Sequence, residues 1–231
     1  MKNKVALVVN AHPDDSEMAM GGTLMMLKSL GYHIVNASLT KGGAGTYSGK
    51  EVREKEFLNS QKKIGSTPVL FDFPDTALEN TLETRLEVVK LIRKYKPTLV
   101  FAPYAKNDRA NFDGMMHRDH SIAGIITSEA IKLSRFKGVL PELEPHKIDS
   151  LLFYMIPTGT NPTFLFDITN FMDETIELIK TYDSQVQKTD FLEVLISMRR
   201  HHGHIIRVKY AEAFVTEMPI LITPENLTGL L

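Results

Sequence analysis

Two short stretches carry the residue types that do chemistry. Asn10-Ala11-His12-Pro13-Asp14-Asp15-Ser16-Glu17 gathers one imidazole and three carboxylates, and His117-Arg118-Asp119-His120 adds two imidazoles and another carboxylate. The chain has no cysteine, which excludes a thiolate metal site, a cysteine nucleophile and a disulfide framework. A metal bound here must therefore use His and carboxylate donors, which favours Zn²⁺, Mn²⁺ or Fe²⁺. His12 and Asp15 converge on one ion if a turn folds between them, and Pro13 stiffens that turn by fixing φ. Asp14 then points elsewhere and stays free as a base. On a helix, His117 and His120 share a face. His12, Asp15 and one further His make a three-ligand set with an open position for water. A spare carboxylate and a spare imidazole are left for proton transfer. The plainer reading makes both stretches helix starts, with Asp14, Asp15, Ser16 or Asp119 as capping residues. An N-cap explains one acid, but not His12 together with three.

The elements around these stretches put both on one edge. Val5 to Val9 is an apolar run and reads as a buried strand. Met18 to Leu30 reads as a helix despite Gly21-Gly22. The first cluster thus sits at the C-terminal end of a first strand, where open α/β sheets bind ligands. A phosphate-binding fold places glycines there; acids repel phosphate and suit a divalent cation. His33 to Leu39 reads as a strand, Glu51 to Ile64 as a helix, Val69 to Phe73 as a strand, and Leu82 to Tyr95 as a helix with Leu82, Leu86, Val89 and Ile92 on one face. Thr98 to Ala102 is a fourth strand, Pro103 to Met116 a long polar loop, and Asp119 to Leu133 a fourth helix. This alternation predicts an α/β, Rossmann-like three-layer fold with right-handed crossovers and a mainly parallel sheet. The second half is less regular. Ser150 to Ile156 and Thr163 to Asp167 read as strands, Phe171 to Tyr182 and Phe191 to His201 as helices, and Tyr210 to Val215 as either. No linker or repeat breaks the chain, so one domain spanning residues 1–231 is expected, its last third covering the sheet edge or shaping a pocket.

With 43% hydrophobic and 24% charged residues in 231, the chain has the composition of a globular protein. A net charge of -1 argues against a broad nucleic-acid-binding face. No run of about 18 apolar residues suggests a membrane span. Met1-Lys2-Asn3-Lys4 leads straight into the first strand without a signal-peptide core, so a cytoplasmic protein is expected. The loop Lys41-Gly42-Gly43-Ala44-Gly45-Thr46-Tyr47-Ser48-Gly49 lacks the Gly-Lys-Ser/Thr ending of a phosphate loop. It reads instead as backbone free to approach a ligand, with Gly43 as a substrate contact. Asp75 after Pro74 is either a substrate contact or a turn former. Asp108 and Asp113 either line the mouth of the site or are solvated. Arg199-Arg200-His201-His202-Gly203-His204 looks like a metal cluster but reads better as a basic helix end stopped by Gly203. Met18, Met20, Met25 and Met26 fill core or pocket.

Ala11-His12-Pro13-Asp14-Asp15-Ser16-Glu17 and His117-Arg118-Asp119-His120 resemble the AHPDD-x-E and H-x-D-H motifs of the LmbE/PIG-L family of zinc-dependent N-deacetylases. Arg53-Glu54-Lys55-Glu56 resembles the family's R-x-x-E, Lys96 to Pro103 its fourth strand, and Tyr210-Ala211-Glu212-Ala213-Phe214 its YAEAF element. The resemblance implies zinc on His12, Asp15 and His120, although these ligand types also accept Fe²⁺, Co²⁺ or Mn²⁺. It implies Asp14 as general base, His117 as oxyanion stabiliser or acid, Asp119 as the residue orienting His117, and Arg53 as a contact to the sugar or its acidic appendage. It further implies a homo-oligomer acting on an acetylated amino sugar. The glycine loop and the modest length look most like the bacillithiol-pathway branch, whose substrate is N-acetylglucosaminyl malate. One departure stands out: many relatives carry H-x-S-Q late in the chain, where this chain has Tyr182-Asp183-Ser184-Gln185. Two rival readings are an amidase acting on thiol S-conjugates and a non-catalytic sugar- or nucleotide-binding module.

Overall fold

The computed structural model describes residues 4–44, 48–106, 117–157, 159–186 and 190–217. Five parallel strands form the central sheet: β1 (Val5–Asn10), β2 (His33–Thr40), β3 (Thr67–Phe73), β4 (Leu99–Pro103) and β5 (Ser150–Tyr154), in the order β3-β2-β1-β4-β5. Their crossovers carry α1 (Asp15–Ser29), α2 (Gly49–Ile64), α3 (Leu82–Tyr95) and α4 (Arg118–Leu133). β1 is central and buried at every residue, as a strand covered on both faces must be. Its side chains alternate between two cores. Leu7 and Val9 pack with Val88, Val89 and Ile92 of α3 and Ala123 and Ile126 of α4. Ala6 and Val8 pack with Met20, Leu24 and Leu27 of α1. The three-layer α/β expectation is met.

The strand order sets the position of the site. β1 pairs with β2 on one side and β4 on the other, so the crossovers diverge at the C-terminal ends of β1 and β4. That divergence is the crevice where open α/β sheets bind ligands. The turn after β1 and the start of α4 both open onto it.

The second half differs in detail from the sequence expectation. β6 (Phe164–Asp167) and β7 (Ala211–Phe214) form a separate antiparallel pair, so Tyr210 to Val215 resolves as mainly strand. An isolated bridge from Phe153 to Val215 ties this pair to β5. Phe171 to Tyr182 is not one helix. A 3₁₀ turn (Thr169–Phe171) precedes α5 (Met172–Ile179); the chain then turns into the short α6 (Asp183–Val186), and α7 (Phe191–Ile205) follows. The turn buries Tyr182 completely, which a continued helix would not allow. Gly203 does not stop α7, which runs on to Ile205. Glycine is needed there because a Cβ would lie 2.7 Å from the Val208 carbonyl oxygen. Among the described residues no helix is long and apolar enough to cross a membrane.

α1 begins at Asp15, earlier than its apolar pattern suggests, and breaks at Met20 (φ -141°, ψ 29°). The break exposes backbone N–H groups as a second helix start, and Glu212 of β7 accepts them. Its carboxylate takes Gly22 N at 3.0 Å, Thr23 N at 2.7 Å and the Thr23 hydroxyl at 2.8 Å. Arg199 of α7 balances that charge, with Nε 2.9 Å from Glu212 Oε1, and also donates to the Met18 carbonyl at 2.8 Å. Arg199 is therefore a buried structural cation, not part of a basic surface. Glu212→Ala is expected to destabilise the fold by about 3–5 kcal/mol, because it strands a buried guanidinium and two buried amides. Urea unfolding checks this; a loss below about 1 kcal/mol, the scale of one ordinary hydrogen bond, would mean that Glu212 does not hold the break.

Candidate metal centre and active site

The turn after β1 is tied down before it reaches the site. Thr40, at the end of β2, donates to the Ala11 carbonyl oxygen from its backbone N at 3.0 Å and its hydroxyl at 2.9 Å. Asp15 then folds back over the turn, its Oδ2 accepting Ala11 N at 2.8 Å and His12 N at 2.9 Å. This leaves Oδ1 facing two imidazoles, 3.5 Å from His12 Nδ1 and 3.2 Å from His120 Nε2. The two ring nitrogens lie 3.2 Å apart. Tetrahedral coordination with bonds of about 2.0–2.1 Å places donor atoms roughly 3.4 Å from one another, so this triangle has the size that one ion requires. Among the described residues His12, Asp15 and His120 form one potential metal-holding group, and His12, His117 and Asp119 a second that shares His12.

The surroundings demand positive charge. Burial opposes a charged His12, yet Asp15, Asp119 and Asp75 together push its pKa up to about 12. Burial likewise opposes ionisation of Asp15, but His120 and His12 hold it well below the usual carboxylate range. His12 Nε2 lies 3.1 Å from Asp75 Oδ1 and 3.7 Å from Asp119 Oδ2. A carboxylate behind a ligating imidazole fixes its tautomer and orientation, so Asp75 acts on His12. Asp75 in turn accepts Ala44 N at 2.7 Å, and the contact with His12 is the main reason its pKa falls to about 2. Thr76 sustains this arrangement at φ 66°, an unfavourable backbone for a β-branched residue. Asp119 is fully buried, and its Oδ2 has no hydrogen-bond partner. An orphaned buried carboxylate oxygen beside three imidazoles fits a site built to hold a cation.

Asp14 occupies the N-cap position of α1 but makes no side-chain cap. It faces Arg53 of α2 instead, with Nη2 2.5 Å from Oδ1 and Nη1 3.2 Å from Oδ2. Glu56, one turn further along α2, accepts the Ser184 backbone N and hydroxyl at 2.8 and 2.7 Å. The R-x-x-E spacing thus places one residue on the site and the other under α6. Gly42 passes close to both partners: with φ 63°, a Cβ there would lie 2.7 Å from Pro13 Cδ and 3.3 Å from Arg53 Nε. His117 caps α4, its Nδ1 accepting Asp119 N at 3.2 Å. The ring proton therefore sits on Nε2. Burial and the nearby His12 lower the His117 pKa, which keeps it a neutral donor. Asp119 orients His117 through its backbone, since its carboxylate lies 4.0 Å from His117 Nδ1.

These groups line a cavity of about 340 Å³ that includes His12, Asp14, Asp15, Arg53, Asp75 and His117. His120 lines it too; Gly43 does not, and Gly42 takes its place. Gly43 borders a neighbouring hollow with Lys41, Lys50 and Asp72. Sequence reasoning passed over Thr76, Met155, Gln185 and Phe191 as cavity residues. Only Gln185 had a signal, its place in the Ser-Gln pair after Tyr182. Gly45, Thr46 and Tyr47, like Asp108 and Asp113, lie outside the described residues.

The model of the PIG-L family, described as GlcNAc-PI de-N-acetylase, matches residues 7–131. Diacetylchitobiose deacetylase of Thermococcus kodakarensis is 30% identical over 226 residues, covering 90% of this chain and 81% of that protein. Among solved structures, a conserved protein of Thermus thermophilus superimposes with a TM-score of 0.85 at 33% identity, covering 95% of this chain and 97% of its own. N,N'-diacetylchitobiose deacetylase from Pyrococcus horikoshii gives 0.83 at 27% identity, covering 100% and 90%. The matched segment contains both motifs and every donor of the His12–Asp15–His120 triangle, and the chain belongs to the PIG-L family of de-N-acetylases.

Proposed function

We propose that this protein is a metal-dependent hydrolase, built as one domain, that removes the acetyl group from an N-acetylglucosamine derivative. The observation that carries this reading is the metal-sized triangle of His12, Asp15 and His120 with Asp14 and His117 beside it in one cavity. Zn²⁺ is the proposed ion, with Fe²⁺ an alternative that the same donors accept. When bound, such an ion polarises an amide carbonyl and makes water acidic near neutral pH. Asp14, held by both terminal nitrogens of Arg53, takes the proton of the attacking water. His117 offers its Nε2–H to the carbonyl oxygen as negative charge develops there. Asp14 then passes the proton it took from water to the departing amine, so that acetate and a free amino sugar leave. Arg53 serves the site first through Asp14, and its contact with substrate is secondary.

The sequence resemblance supports N-acetylglucosaminyl malate as substrate, while two relatives are named for diacetylchitobiose. The test is acetate release from the malate compound, from diacetylchitobiose and from N-acetylglucosamine. Protein is assayed as purified, after chelation, and after reloading with Zn²⁺ or Fe²⁺. Activity is expected to fall to background with chelator and return with metal. Chelator-insensitive turnover would reject the metal mechanism. Bound metal without acetate release from any of the three would reject the deacetylase reading.

A further inference from the structure

We infer that Tyr182 is a positioning residue for Asp14, an inference that rests on the reading of Asp14 as the base. Tyr182 stands in the segment where the chain departs from the H-x-S-Q pattern, and it is fully buried beneath the cavity. Its hydroxyl lies 2.5 Å from the Pro13 carbonyl oxygen and 2.8 Å from Glu17 Oε1. A tyrosine hydroxyl has one proton to give. The hydroxyl shares it between the Pro13 carbonyl, the shorter contact, and Glu17, which also receives Ser60 and Gln61 at 2.5 Å and Ser16 at 2.8 Å. The Pro13 carbonyl belongs to the peptide that leads directly into Asp14. Pinning that peptide fixes where the Asp14 side chain starts.

The same ring acts on the other end of Asp14. The Arg53 guanidinium carbon lies 5.8 Å from the Tyr182 ring centroid, within range of a cation–π contact. Arg53 is sandwiched between this ring, the Asp14 carboxylate and Gly42, where no Cβ fits. Tyr182 therefore touches both supports of the Asp14 carboxylate: the backbone before it and the guanidinium that clamps it. Neither support is a metal-holding atom. His12 and Asp15 take their positions from Thr40, Asp75 and their own turn, and His120 sits on α4. The brace sets the base against the metal site without building that site. Its reach comes from the turn between α5 and α6, which Glu56 anchors through Ser184.

The inference predicts that kcat and metal content separate. Tyr182→Phe keeps the ring and loses the proton; Tyr182→Leu loses both supports. Tyr182→Phe is expected to lower kcat by about tenfold or more, the scale of a misplaced catalytic group, with KM within about twofold and metal per chain unchanged. Tyr182→Leu is expected to lower kcat further at the same metal content. The experiment measures acetate release and bound zinc for both variants beside wild type and Asp14→Asn. Wild-type kcat in Tyr182→Phe, with Asp14→Asn inactive, would overturn the brace and leave the base in place. Metal lost in step with kcat would also overturn it, by showing that Tyr182 supports the ligands and not Asp14. Full activity in Asp14→Asn would overturn the mechanism beneath both.

Discussion

Asp14→Asn is expected to lower kcat by about 10²–10⁴-fold, the range supplied by a positioned general base, while metal content stays at the wild-type level. The substitution is nearly isosteric and leaves the His12, Asp15 and His120 atoms untouched. It removes the proton acceptor and half of an ion pair with Arg53, which is only 2% exposed. Some stability is therefore lost as well, since breaking a buried pair leaves one charge uncompensated. The competing reading, in which Asp14 merely starts α1, predicts a silent change, because Asn is as good an N-cap as Asp. The side chain makes no capping hydrogen bond, which argues against that reading. Acetate release together with metal analysis decides between them. Wild-type kcat would remove Asp14 from the mechanism; loss of metal would make it a ligand or a support of one.

His120→Ala and Asp15→Ala should instead lose metal and turnover together. Changes to the partners of metal ligands alone weaken binding by about 10–100-fold, so removal of a ligand should exceed that range. His120→Ala is the cleaner of the two. Asp15→Ala removes more, since Oδ2 also satisfies the Ala11 and His12 amides. Leaving buried amides unsatisfied costs about 1–3 kcal/mol each, so this variant should unfold at lower urea as well. His117→Ala provides the contrast: it lies outside the proposed ligand triangle, and loss of an oxyanion donor should reduce kcat by about 10²–10³-fold with metal retained. Titration with zinc in a competing chelator, read beside turnover, checks all three. If His120→Ala bound zinc as tightly as wild type, the proposed ligand set would be wrong.

Much of this was legible in the chain itself because the signals are local. A short, valine-rich apolar run such as Val5 to Val9 reads as a covered strand, and helix-period stripes such as Leu82, Leu86, Val89 and Ile92 mark the crossovers. Alternation of the two dictates a parallel sheet, and a parallel sheet dictates the edge on which the turn after β1 and the start of α4 emerge. The donors of the triangle lie within those two motifs, at spacings that a single turn brings together. The single helix from Phe171 to Tyr182 and the stop at Gly203 failed for a common reason. Each depended on what a distant segment places nearby: the site against Tyr182, and the Val208 backbone against Gly203.

The sequence by itself determined the strand and helix order of the parallel-sheet half and the acid-and-imidazole donors of the crevice, since these follow from periodicity and residue type. Tertiary structure alone decided what each carboxylate faces. Asp15 turns one oxygen to its own backbone and the other to two imidazoles, Asp75 backs His12, and Asp14 is clamped by Arg53 over Tyr182. It also decided that Glu212, 190 residues beyond Gly22, caps the break in α1. Carboxylates are chemically alike along a chain; they acquire separate roles only when folding gives each a different set of donors and a different share of solvent.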